Sequence, residues 1–328
     1  MSIDTQGWVP YEDRGVDGRR ITRDHHDEIG TFEDLSWGDS PLTIPDFING
    51  FSLWKAANGG KLPPFSWQST GSCVGSASYH GGQIHAQAGD IVTRGDHEQF
   101  RLTFWLYSYG VGRFLGRMRS RGSGSYGSVQ ARAVKEYGLL PMGYGATPQP
   151  QYVAGGDWIK FPSQAELEWS YAPRFPISVA DLKLESQKNQ VQKTVRIRST
   201  SQVRELLTSG FGVTIACSFG MRSKPRVTGD PQVLLGKWDG SWSHQQSNPA
   251  AFNHPGLGWI YWIQNQWGPK SHGRCPFMTA YDQKILGGYW VDESTYQRMI
   301  ENGECYGHSD TEGFTPRVID WGSMGMGR

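Results

Sequence analysis

Residues 68–77 read Gln68-Ser-Thr-Gly-Ser-Cys73-Val-Gly-Ser-Ala77, and the reading of that stretch decides the fold. Small side chains dominate from Cys73 to about Ala88, with Val74, Ala77 and Ile84 on one face. The pattern predicts a helix able to pack closely, although Gly75, Gly81 and Gly82 each weaken it by roughly 1 kcal/mol. A cysteine at the head of a helix feels the positive end of the helix dipole, which favours thiolate over thiol. The preceding glycine, Gly71, lets another chain approach the backbone. Gln68, five residues upstream, carries an amide able to donate to the oxygen that turns negative during acyl transfer. Taken alone, the same features also describe a buried structural thiol.

A second stretch changes that balance. Ile260-Tyr-Trp-Ile-Gln-Asn265-Gln-Trp267-Gly268 is an apolar run of strand length ending in Asn, one residue, Trp and Gly. His244 lies upstream in Trp242-Ser-His244. A nucleophilic cysteine needs an imidazole to take its proton, and the imidazole needs an acceptor to fix its tautomer. Asn265 supplies that acceptor, and Trp267 can shield the bond from water. His254, eleven residues before Asn265, is a rival base. Its expected place at a solvated hairpin tip favours His244.

At these residues the chain resembles the papain-like cysteine peptidase family in a divergent form. That family places Gln and then Gly-Ser-Cys at the head of its central helix, followed later by a His and an Asn-Ser-Trp-Gly motif. Gln68, Cys73, His244 and Asn265-Gln-Trp267-Gly268 stand in the same order. Between them, Gly124-Ser125-Tyr126 looks like the family's substrate-binding glycine loop. The stretch Val195–Phe219 and the run Gly288-Tyr-Trp290-Val are similar to its later strands. The likeness covers roughly residues 60–300.

The resemblance implies an α+β, two-lobed fold with the site in the cleft between a helical and a β-rich lobe. It also implies a cysteine endopeptidase with catalytic Cys73, His244 and Asn265, an oxyanion donor in Gln68, and substrate contacts at Gly124, Ser125 and Trp267. The implied partner is a polypeptide substrate, with no cofactor and no metal. There are departures. Gln68 is one residue closer to Cys73 than in the family, and Val74 stands where Trp is common. His244 and Asn265 are twenty-one residues apart, which predicts a lengthened hairpin with Gln245–Gly258 as a protruding polar loop. The alternative reading is a catalytically silent papain-like structural or binding module, for example a component of a virus particle. Amide ligation or deamidation by the same thiol is a third.

Composition limits the remaining classes. The 328 residues include 37% hydrophobic residues and fourteen Trp, enough for a packed core, and 43 Gly and 18 Pro argue against a helical bundle. A net charge of +1 gives no footprint for nucleic acid or membrane. Four scattered cysteines do not make a disulfide framework, and no CxxC pair suggests zinc. With no apolar leader, the expectation is a reducing compartment or a virion rather than conventional secretion.

The expected organisation is an extended N-terminal arm over 1–58, offering contacts to assembly partners, then a helical lobe over about 59–150. An irregular insertion over about 150–192, a β-rich lobe over about 193–300 and a tail over 301–328 follow. Helices are predicted over Phe100–Leu115, Ser128–Tyr137 (capped by Ser128, ended by Gly138) and Ser201–Ser209. Strands are predicted over Thr194–Ile197, Gly212–Phe219, Trp259–Gln264 and Gly287–Val291. Arg23-Asp24-His25-His26-Asp27-Glu28 reads as a solvated run rather than a metal site. His80 and His85 fall about 140° apart on an α-helix and are expected to pack rather than bind metal. The loop at 122–128 lacks the pattern of a phosphate cradle. Arg113, Arg117, Arg119 and Arg121 read as a solvated basic face, and Cys217 as core. Cys275 and Cys305 have no assigned role.

Overall fold

Two glycines set how closely the central helix approaches the sheet. A Cβ on Gly212 would lie 1.5 Å from the Gly81 carbonyl oxygen, and one on Gly81 would lie 2.3 Å from that of Val213. No side chain fits there, so helix and strand meet backbone to backbone. The computed structural model describes residues 42–118, 123–145, 147–189, 191, 193–282, 284–309, 314 and 316–324. In it the central helix is α-helical over Cys73–Ala77, π-helical over Ser78–His85 and α-helical again over Ala86–Arg94, ending on Gly95 at φ 76°.

The wider turn of the π segment changes the expected face of the two histidines. Both pack on Trp54, His80 stacked at 6.0 Å and His85 edge-on at 6.2 Å. His80 Nε2 also accepts the Ser66 N–H at 3.0 Å.

The strands are β1 (Phe47–Asn49), β2 (Phe65–Ser66), β3 (Gln151–Val153), β4 (Trp158–Lys160), β5 (Lys193–Arg196) and β6 (Gly212–Phe219). They continue with β7 (Arg226–Thr228), β8 (Val233–Leu235), β9 (Ser241–His254), β10 (Gly258–Gln264), β11 (Gly288–Asp292) and β12 (Glu304–Ser309). Among the described residues one sheet runs β5-β12-β6-β9-β10-β11-β8-β7, with β1 added on β9, and a smaller one runs β2-β4-β3. Helices Trp105–Leu115 and Gly127–Tyr137 pack beside the central helix, and helices Thr200–Thr208 and Glu293–Glu301 cover the sheet. Helices gather early in the chain and strands late, the α+β arrangement expected.

Several boundaries differ from expectation, each for a physical reason. The stretch Gln245–Gly258 does not protrude. Most of it is β9, buried from His244 to Ala251 and paired with β6 and β10. Some of its polar side chains find partners inside: Asn248 Nδ2 donates to the Trp262 and Ala250 carbonyls, and Gln246 Nε2 to the Tyr289 hydroxyl, whereas Gln245 Oε1, Ser247 Oγ and Asn248 Oδ1 are buried without one among the described residues. His254 is buried rather than solvated, with Nε2 2.8 Å from the Pro231 carbonyl oxygen.

The 150–192 stretch does not wander over the surface. It forms β3 and β4 and buries Trp158, Ile159, Phe161, Trp169 and Leu182, large side chains worth roughly 1.5–3 kcal/mol each when fully buried. The expected arm ends early, because β1 and the helix Gly50–Ala57 bury Phe47, Phe51, Leu53 and Trp54. The expected tail begins late, because β12 sits between β5 and β6, and Phe314, Ile319 and Trp321 are buried. The run Arg23–Glu28 lies outside the described residues.

The second helix starts at Trp105 rather than Phe100, because Phe104 N–H donates to Leu140 and Met142 N–H to Leu102 in an extended pairing. Ser128 is not a cap. The helix begins at Gly127, and the Ser128 N–H donates instead to Glu304 Oε2 at 2.9 Å. The chain's own carboxylate thus occupies the helix end considered as a phosphate cradle. Arg113 is buried, its guanidinium 5.8 Å over the Tyr109 ring, so it is no part of a solvated face, whereas Arg119 and Arg121 lie outside the described residues.

Candidate active site

Cys73 is the first residue of the central helix, as the sequence predicts, and its sulfur accepts the Gln245 N–H from β9 at 3.4 Å. The residue following His244 therefore lies against the thiol. His244 pairs with Cys217 across the sheet, and Asn265 follows the last residue of β10. His244 Nε2 and Asn265 Oδ1 are 2.7 Å apart. The fold thus joins the early and late motifs, and it leaves His254 at the opposite end of β9, ten residues or roughly 33 Å of extended chain away.

One backbone donor fixes the protons of this cluster. The Gln266 N–H donates to Asn265 Oδ1 at 2.7 Å. A backbone N–H can only donate, so the amide atom facing it is the oxygen. His244 Nε2 must then carry a hydrogen to share that oxygen. Burial pushes the His244 pKa down to about 4, against the Asn265 bond that raises it, so the ring is neutral near pH 7. A neutral imidazole with Nε2 protonated has its lone pair on Nδ1. That nitrogen is buried and makes no hydrogen bond among the described residues. A bare imidazole nitrogen of this kind can accept the proton of a thiol brought within its reach.

Asn265 has a second partner that the sequence reading missed. Its Nδ2 lies 2.6 Å from His272 Nε2. Trp267 stacks on the His244 ring with centroids 4.7 Å apart and planes 26° apart, covering the His244–Asn265 bond. Trp267 and Trp242 also lie within 6.3 Å of the His272 ring.

The loop before Cys73 is held by another missed residue, Glu166. Its carboxylate accepts from Ser69 N–H at 2.8 Å, Thr70 N–H at 2.9 Å, Thr70 Oγ1 at 2.6 Å and Ser72 Oγ at 3.2 Å. Burial raises its pKa, and these four donors pull it back. Gln68 is buried at the same loop, where its backbone N–H donates to the Gln266 carbonyl at 3.0 Å and its Nε2 to the Thr70 carbonyl at 2.9 Å.

Tyr109 ties in the glycine loop. Its hydroxyl donates to the Gly71 carbonyl at 3.2 Å and accepts the Gly124 N–H at 3.0 Å. The Gly124 N–H expected to face a substrate is thus directed inward, and Ser125 is buried. No sequence pattern singles out Glu166, inside the short helix Ser163–Glu168, or His272, in the loop after β10.

No disulfide links the four cysteines, all of which are buried, and Cys73 itself is 0% exposed. Burial pushes the Cys217 thiol up to about 12 and Cys305 further, as befits core thiols. Among the described residues no group of three His, Cys, Asp or Glu is placed to hold a metal ion, and no helix is long and apolar enough to cross a membrane.

No family model matches the chain, and comparison with curated proteins finds no match. Solved structures do match. Xylellain, a cysteine protease from Xylella fastidiosa, aligns over 95% of this chain and 98% of its own, with a TM-score of 0.53 at 13% identity. A procathepsin B from Trypanosoma congolense aligns over 93% and 92%, with a TM-score of 0.53 at 11% identity. A digestive procathepsin L from the larval midgut of Tenebrio molitor aligns over 93% and 78%, with a TM-score of 0.52 at 13% identity. With its helical part, its β-rich sheet and these neighbours, the chain has the two-lobed α+β fold of the papain-like cysteine proteases.

Proposed function

We propose that the chain is a cysteine endopeptidase with Cys73 as nucleophile, His244 as base and Asn265 as the group that orients the imidazole. One observation carries the reading: Gln266 N–H and His244 Nε2 share Asn265 Oδ1, which leaves His244 Nδ1 bare while the next residue touches the Cys73 sulfur. In the reaction, Cys73 Sγ forms a bond to the peptide carbonyl carbon as its proton passes to His244 Nδ1. The C–N bond then breaks and the leaving amine takes that proton, giving a thioester on Cys73. Water, deprotonated by the same nitrogen, attacks the thioester and releases the acid and the thiol. Gln68 is the proposed donor to the carbonyl oxygen as it becomes negative, held close to Cys73 by the loop that Glu166 orders. Trp267 excludes water from the His244–Asn265 bond.

A second reading rests on one observation, the complete burial of the Cys73 side chain, which an incoming peptide must relieve. It makes the chain a silent papain-shaped part, for instance of a virus particle, with partners held through the N-terminal residues. The two readings separate on turnover. Purified protein should cleave fluorescently labelled casein and be modified at Cys73 by an epoxide probe for thiol proteases. Cys73→Ala and His244→Ala should each lose on the order of 10⁴-fold or more, with the fold retained. Cleavage that survives Cys73→Ala rules out the peptidase reading, and absence of any Cys73-dependent cleavage favours the structural part.

A further inference from the structure

Asn265 is an orienting group that itself has to be oriented. Its amide can sit in two ways, oxygen and nitrogen exchanged, and only one leaves His244 with a bare Nδ1. The Gln266 N–H selects the oxygen. On the other side the NH₂ group can only donate, and it meets His272 Nε2 at 2.6 Å. That nitrogen must therefore be the lone-pair side of a neutral ring with its proton on Nδ1. A donor at that position would face the amide hydrogens head-on.

His272 is placed to stay that way. It is 4% exposed and lies among Trp242, Trp267 and Tyr289, the last edge-on at 4.7 Å. Its surroundings disfavour a charged ring, chiefly through burial and also through the His244 and Lys224 side chains nearby.

We propose that His272 is a positioning residue of this site: its Nε2 lone pair holds the Asn265 amide with the oxygen toward His244 and so fixes the His244 tautomer that can take a proton from Cys73. The proposal rests on the peptidase reading for its effect on turnover but not for its geometry. Loss of the acceptor strands a buried NH₂ group, and the amide turns to find another partner. His244 then loses its fixed acceptor, and a fraction of the molecules hold the proton on Nδ1, where it blocks proton transfer.

The test combines histidine ¹⁵N chemical shifts with turnover of labelled casein. In the wild-type protein at pH 7.5 the shifts should show an unprotonated Nε2 on His272 and an unprotonated Nδ1 on His244. His272→Phe keeps a ring among the aromatic neighbours and removes the acceptor. It should lower kcat by roughly 10- to 100-fold with little change in KM, the range typical of lost outer-shell partners. It should also mix the His244 tautomers. His272→Gln supplies a carbonyl acceptor and should recover most of that loss. A purely structural role would not discriminate Gln from Phe in this direction. A protonated His272 Nε2 in the wild-type protein overturns the proposal, even where the Phe variant does not fold. So does a Phe variant with an unchanged His244 tautomer. If the wild-type protein cleaves nothing, the peptidase reading fails, and the tautomers still decide the role of His272.

Discussion

The two walls of the site are built from different chemistry. On the helical side, the loop leading to Cys73 is organised by one buried carboxylate, Glu166, which gathers two backbone N–H groups and two hydroxyls. On the sheet side, His244, Asn265 and His272 form a chain of neutral rings and an amide, with proton positions set by a single backbone donor. A carboxylate accepts from any direction and tolerates a shifting loop, whereas a chain of imidazoles works only if each ring keeps one tautomer. The helical wall is thus built to place a sulfur, and the sheet wall to hold a lone pair.

Acid should have the largest effect, on the sheet wall through His244 and His272 and on the core beyond it through His80, His85 and His308. Burial lowers the pKa of His244 to about 4 and those of His80, His85, His272 and His308 to about 3, from an ordinary 6.5. The unfolded chain therefore binds these protons first. The stability contributed by neutral rings is fully present above pH 6.5 and is lost as pH falls from 6.5 through 4 toward 3. Each ring costs about 1.4 kcal/mol per pH unit across that window, so the thermal midpoint should fall steeply between pH 7 and pH 4.5. A flat midpoint over that range would mean the rings are solvated.

The helical wall is probed through Gln68. If its amide serves the oxyanion, Gln68→Ala should lower kcat by roughly 10²–10³-fold and leave the midpoint nearly unchanged. A loss of only a few-fold would assign Gln68 to tying down Thr70. Smaller again is Glu166→Gln, in which an amide NH₂ meets donors where a carboxylate met them. It should cost about 1–3 kcal/mol by denaturant unfolding, and the acid sensitivity of the imidazoles should persist. An unchanged midpoint would make the carboxylate dispensable to the loop.

Legibility in the sequence did not divide along the two walls. The head of the central helix, the strand Gly212–Phe219 and the strand ending at Gln264 stand where apolar pattern and glycine punctuation place them. Cys73, His244 and Asn265 could be paired because they sit in short stretches at or near the ends of elements. The long strand β9 was not legible. Gln245, Gln246, Ser247 and Asn248 read as a solvated loop, and Pro249 reads as a break, yet all lie in the buried middle of a central strand, where Gln246 and Asn248 find polar partners. Binary patterning fails where a core must supply polar chemistry. Glu166 and His272 were hidden for a related reason, since only the folded chain, across 94 to 97 residues for Glu166 and seven for His272, reveals what they hold.

The π-helical stretch within the central helix has a consequence for the chain as a mutable object. Each i→i+5 turn consumes one residue more than an α turn, so the stretch shifts the phase between the helix head and the Ala86–Arg94 tail. Deleting a single residue between Ser78 and His85 would let the helix relax to a uniform winding. Both flanks are held, the head against β9 and the tail against the helix Gly50–Ala57. Seven residues wound as α turn through nearly the same angle as eight wound as π, within about 50°. Cys73 would therefore stay near its place against the Gln245 N–H after a deletion that would turn a uniform α-helix by about 100°.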